Sequence, residues 1–173
     1  MNKYLKIFIF VFLLVAITVA GLIYYKSGQT VTGQIQSEGG TIGNNILSYS
    51  VAKGVFPSVA NITLKSIPRN KLPSSIPNNA KVYAAVEVNV TFSNESSSSL
   101  TPSINYATVK APLYQHLNPG MQLVVLEPTL TGDNWKKTGQ LGTVDSNGKS
   151  VTFQAATDGQ FILMLKADIN AQN

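Results

Sequence analysis

Between Val82 and Phe92 apolar and polar residues alternate one for one. Val82, Ala84, Val86, Val88, Val90 and Phe92 fall on one face, with Tyr83, Ala85, Glu87, Asn89 and Thr91 on the other. A period of two sends successive side chains to opposite faces, so this run predicts a half-buried strand of an antiparallel sheet. Shorter runs of the same character lie at Val31–Gln36, Ile46–Val51, Ala60–Ile67, Ser103–Thr108, Met121–Glu127, Trp135–Leu141, Val151–Gln154 and Phe161–Ala167. Turn formers separate them: Gly39-Gly40, Gly43-Asn44-Asn45, Pro57, Pro68, Pro73, Pro77, Asn118-Pro119-Gly120 and Gly132-Asp133-Asn134. Val144 to Val151 reads as a hairpin in which Asn147-Gly148 supplies the positive-φ positions. No segment beyond residue 26 sustains an apolar period of 3.6. About nine short strands punctuated in this way predict an all-β fold, an antiparallel β-sandwich.

The N-terminus follows a different rule. From Ile7 to Tyr25 nineteen residues carry no charge, IFIFVFLLVAITVAGLIYY. As a helix this run spans roughly 28 Å, close to the hydrocarbon thickness of a bilayer, with every backbone amide satisfied internally. Tyr24 and Tyr25 stand where interfacial aromatics belong. The competing reading is a cleaved signal peptide, with Thr18-Val19-Ala20 before Gly21 as its processing site. That site falls inside the apolar run, and the run exceeds the roughly 7–15 residues of a signal core. Lys3, Lys6 and the α-amino group precede the segment and Lys26 alone follows it, which puts the N-terminus in the cytoplasm. The expected layout is a cytoplasmic tip (1–6), a transmembrane anchor (7–25), a short tether (26–33), an extracytoplasmic sandwich (34–168) and a tail (169–173). Such a tether reaches roughly 15 Å, so the domain would sit near the lipid headgroups.

Charge changes this picture little. The chain carries a formal +5, but Lys3, Lys6 and Lys26 flank the apolar run, leaving ten basic against eight acidic residues from Ser27 onward. Those charges are scattered, whereas a nucleic-acid surface concentrates its basic residues into a face or stripe. No nucleic-acid partner is expected. The chain has no cysteine, which excludes disulfides, a thiol nucleophile and thiolate metal ligands.

The order of segments resembles a known module. GGTI followed by LSYSVAKGVFPSVANITLKSI is similar to the opening of ZU-type β-sandwich domains, found in ankyrins, netrin receptors and zonula occludens proteins. The turn at Ala52-Lys53-Gly54-Val55-Phe56 occupies the place of that family's Gly turn. Met121–Glu127, the turn at Gly132–Trp135, TVDSNGKSVTF and FILML resemble prokaryotic forms of the module, the likeness running from Gly33 to Lys166. It implies an interaction or adhesion module without a cofactor. Some relatives cleave themselves at a His-Phe-Ser step before the last strand. Here Asp158-Gly159-Gln160-Phe161 holds neither that His nor that Ser, so the activity is not carried over.

Candidate chemistry is sparse. His116 is the lone histidine, in a loop with no nucleophile-elbow motif beside it, and the default is a solvated side chain. Asp133, Asp145 and Asp158 stand near turns without calcium-loop spacing. Neither a catalytic residue, a cofactor nor a metal is expected. Trp135 before Lys136-Lys137 offers a stacking platform beside cations, or simply a packed indole with a local partner. The loop Arg69–Asn79 holds Arg69, Lys71 and two prolines and reads as a stiff basic projection. Arg69, Lys71, Trp135, Lys136 and Lys137 are therefore the candidate binding residues. Asn61, Asn89 and Asn94 begin glycosylation sequons, and only Asn94 falls on a predicted loop tip.

The expectation is a single-pass, non-enzymatic interaction or adhesion module at the cell envelope. Residues 7–25 would contact the bilayer and the sandwich an envelope or extracellular protein. A pilin-like filament subunit is the alternative, against which stand Lys6 at the boundary and a wholly apolar Ile7–Phe12. A secreted or surface enzyme ranks behind both, for want of convergent titratable groups.

Overall fold

The structure, a computed structural model, describes residues 28–76, 80–92, 106–131, 134–166 and 168. Ile7–Tyr25, the sequon at Asn94, Asp133 and the tail from residue 169 lie outside the described residues. Among the described residues no helix is long and apolar enough to cross a membrane.

The chain is all-β. Its strands are β1 (Thr30–Ile35), β2 (Gly40–Gly43), β3 (Ser48–Val51), β4 (Ala60–Ser66), β5 (Val82–Phe92), β6 (Tyr106–Pro112), β7 (Gln122–Pro128), β8 (Trp135–Val144), β9 (Ser150–Ala156) and β10 (Gly159–Met164). All ten belong to one sheet, in the order β1-β4-β5-β10-β7-β8-β9-β6-β3-β2, every pairing antiparallel. β1 and β2, at the two ends of that order, are consecutive in the chain and meet through a bridge between Gln36 and Gly39. Gly33 on β1 leaves room for Ile42 on β2, since a Cβ there would lie 2.7 Å from Ile42 Cγ2. The sheet is thus bent round on itself as a near-barrel. The two facing sheets expected of a sandwich are here one continuous ladder, which leaves few open edges.

Alternation fills the interior. Ile62 and Leu64 of β4, Val86 and Val88 of β5, Val109 of β6, Leu123 and Val125 of β7, Phe153 of β9, and Phe161 and Leu163 of β10 form its core. Tyr49 closes one end, its hydroxyl donating to the Thr157 carbonyl at 2.7 Å. Burial first, and then the charge of Asp158, push that phenol above its ordinary value.

A second cluster lies on the outer face of β5, β10 and β7. Val82, Ala85, Val124, Leu126, Ile162 and Met164 would be wet there but for the segment between β4 and β5, which brings Ile67 and Ile76 over them. One 3₁₀ turn, Arg69–Lys71, shapes that cover. This revises the reading of β5 in two ways. Pairing with β10 shifts between Leu163 and Met164, so Val82 faces the outer cluster while Ala84, Val86 and Val88 face the interior. Tyr83 and Ala85, expected in solvent, are buried at 2% and 1% exposure.

The ends of elements differ as well. β1 begins at Thr30, inside the expected tether, and β2 occupies Gly40–Gly43, which the alternation of apolar and polar residues does not mark as a strand. β6 starts at Tyr106 and continues to Pro112, past the expected end at Thr108. In the β8–β9 turn only Gly148 has positive φ, at 65°. Gly148 N–H donates to Asp145 O at 2.9 Å, making a type I turn followed by a left-handed glycine rather than a two-residue Asn-Gly turn.

Candidate functional site

Three segments distant in sequence meet beside the 3₁₀ turn. Where the described chain begins, Gln29 is pinned to the end of β4: its N–H donates to Ser66 Oγ at 2.7 Å, and Ser66 N–H donates to Gln29 O at 2.8 Å. The chain then leaves the sheet at Ile67, whose N–H still donates to Ala85 O at 2.9 Å, and turns through Pro68. Opposite, the chain leaving β6 passes through Leu113 to Tyr114, whose N–H donates to Tyr83 O at 2.8 Å. The Tyr114 hydroxyl donates to Ile67 O at 2.5 Å and ties the exit of β6 to the cover. Burial pushes this phenol above its ordinary value, and the nearby Arg69 charge opposes that rise.

These segments enclose a cavity of about 380 Å³, lined by Gln29, Ser66, Pro68, Arg69, Leu113 and Tyr114 among others. Its walls are largely apolar, and among the described residues no acidic one lines it. A second cavity of about 280 Å³ lies across the 3₁₀ turn, beneath Leu72, Pro73, Ser74 and Ile76, and Arg69 and Asn70 border both. Arg69 and Lys71 are exposed, and among the described residues neither makes an ion pair. Gln29 Oε1 is buried and, among the described residues, accepts no hydrogen bond.

The other candidates distribute as follows. Trp135 packs half-buried against the outer cluster, its indole N–H donating to Ser75 Oγ at 3.0 Å, so the packed-indole reading describes its position. That bond brings Trp135 to the same cover that carries Arg69 and Lys71. Lys136 pairs with Glu127 at 3.1 Å on the exposed surface of β7 and β8, and Lys137 stands exposed opposite Leu126. The segment around Arg69–Asn79 is not a free projection. Ile76 within it is only 7% exposed, and Ile76 and Leu72 pack on the outer cluster, so replacing the whole loop would strip that face.

His116 is exposed at the β8–β9 turn with its ring against Gly148, where a Cβ would come within 2.5 Å of Cε1 and Nε2. Asp145 is a clamp. It receives Lys110 Nζ, Ser150 Oγ and Thr152 Oγ1, each at 2.8 Å. Burial would raise its carboxyl, but those hydrogen bonds and the Lys110 charge outweigh it and hold the group below the usual carboxylate range. Among the described residues no three His, Cys, Asp or Glu side chains cluster as metal ligands do.

Gln29, Ser66 and Tyr114 were not singled out from the sequence. Pro68 and Pro112, each at the end of a strand, are the signal that marks where the cavity walls leave the sheet. Compared with known proteins, the chain matches no family model, no curated protein and no solved structure.

Proposed function

We propose that the chain is a membrane-anchored, non-catalytic interaction module. In this reading residues 7–25 hold the β-domain outside the bilayer, and the face around Arg69 engages another component of the envelope. The observation that carries it is the placement of Arg69 and Lys71, exposed and without an ion pair among the described residues, on a packed cover bordering two cavities. Residues presented by loops on a stiff scaffold are where binding concentrates. Support also comes from the uncharged run at Ile7–Tyr25 and from the resemblance of Gly33–Lys166 to ZU-type domains.

The test is made on the full chain in its own cells. Protease added to intact cells is expected to remove residues 27–173 and spare an N-terminal tag. A photo-crosslinker at Asn70, exposed and bordering both cavities, is expected to capture an envelope component that one at Thr32 does not. A wholly protected domain would overturn the orientation, and equal capture at both positions would move the binding face elsewhere.

A further inference from the structure

The cavity beside Arg69 has a fixed relation to the apolar N-terminal run. Gly28 lines it, and Gly28 follows Tyr25 by only three residues. Whatever path Lys26 and Ser27 take, three residues span at most about 11 Å. If Ile7–Tyr25 lies in a bilayer, the mouth of the cavity stands at the headgroup layer, within roughly a Debye length of its charges. The side chains there match that location. Arg69 has no ion-pair partner among the described residues, and Lys71 stands two residues on in the same 3₁₀ turn. A guanidinium is suited to phosphate because its planar fork gives two parallel hydrogen bonds. Pro68, Leu113 and Tyr114 supply apolar walls for the carbon adjoining the phosphate. Gln29 Oε1, buried and accepting nothing among the described residues, offers an acceptor to a hydroxylated headgroup. A volume of about 380 Å³ falls within the roughly 300–1,000 Å³ of small-molecule sites.

We propose that this cavity is a binding site for the headgroup of an anionic phospholipid of the bilayer in which the chain is anchored. Arg69 holds the phosphate, Gln29 accepts from a headgroup hydroxyl, and Tyr114 braces the wall. The inference rests on the anchored reading above and names the component that this face engages. Its consequence is orientational: a lipid held beside Gly28 fixes the barrel against the membrane and turns the opposite end outward.

The experiment uses the full chain in micelles of an uncharged maltoside detergent, titrated with short-chain phosphatidylglycerol and followed by backbone amide shifts. Saturable shifts confined to Gln29, Ile67, Arg69 and Tyr114 are expected, with phosphatidylcholine of equal chain length binding at least tenfold more weakly. Arg69→Ala is expected to weaken phosphatidylglycerol binding about five- to tenfold, Arg69→Lys to restore part of it, and Lys53→Ala, exposed and paired with Glu38 away from the cavity, to leave it unchanged. Equal binding of both lipids, or indifference to Arg69→Ala, would overturn the proposal. So would inorganic phosphate alone shifting the same amides with equal affinity, since the site would then be one for a free anion. The anchored reading fails by a separate measurement, release of the chain from native membranes by alkaline carbonate. Such release would leave the lipid titration, and the cavity's affinity read from it, intact.

Discussion

The clamp at Asp145 yields a prediction whose sign and pH range are both fixed. Its carboxylate receives three donors at 2.8 Å, Lys110 from β6 and Ser150 and Thr152 from β9. It therefore ties the β8–β9 turn to the strand beyond. Asp145→Asn keeps the size but replaces one oxygen with an amide that faces a donor, removing the ion pair and at least one hydroxyl bond. Fully buried, such charge-assisted bonds contribute about 1.5–3 kcal/mol each. Here the Asp145 side chain is 18% exposed and that of Lys110 27%, so solvent screens part of the gain. A total cost of about 2 kcal/mol follows, which lowers Tm by roughly 4–8 °C for a chain of this size. The folded carboxyl lies below its unfolded value of about 3.9, so the contribution is complete above that value. It is lost as pH falls through the lower folded value. Urea unfolding of both full-length forms in uncharged detergent is expected to show the whole gap at pH 7 and a steadily smaller one as pH falls below about 3.9. A gap that persists unchanged at pH 2 would show that size or turn geometry, not the carboxylate charge, sets the difference.

Val86, wholly buried in the interior, is expected to tolerate no charge: Val86→Asp should abolish the cooperative unfolding transition and the β circular dichroism spectrum. Glu87→Lys, half-buried on the other face and in register with Lys65, should fold and lose less than about 1 kcal/mol. Trp135→Phe deletes the bond to Ser75 but keeps most of the packing, so hydrogen exchange at Ile76 should quicken while global stability falls by about 1 kcal/mol.

How much of this was legible depended on whether the deciding contact was local. The alternation of β5 was readable because each of its side chains answers to one face of one strand. Val82 was assigned to the wrong face because a register shift opposite Leu163 and Met164 breaks the period, and such a shift leaves no mark in the strand that suffers it. Periodicity does not mark β2, since Gly40–Gly43 offers a single apolar side chain, Ile42. Its extended form is imposed by full pairing with β3, from Gly40↔Val51 to Gly43↔Ser48. Closure of the sheet was unreadable for a related reason. Ten strands in the order found here meet at β1 and β2, and nothing in either strand alone distinguishes that ring from two stacked sheets.

The site divides along the same line. Arg69 and Lys71 could be picked out because exposed cations beside prolines announce themselves by composition. The cavity they border could not, because its walls come from residues 28–29, 66–70 and 112–114, each of which reads alone as a mere boundary. The structure also ties recognition to stability. The segment that presents Arg69 is the one that shields Ile162, Met164 and Leu126 from water, held by Tyr114 on one side and Trp135 on the other. A change that lifts the cover must deform the cavity, whereas Arg69→Ala alters the cavity without lifting the cover, since that side chain is exposed and ion-paired to nothing described. Binding lost with stability intact therefore reports recognition. Binding lost together with fast exchange at Ile76 reports only the cover, and the contrast between Arg69→Ala and Trp135→Phe separates the two.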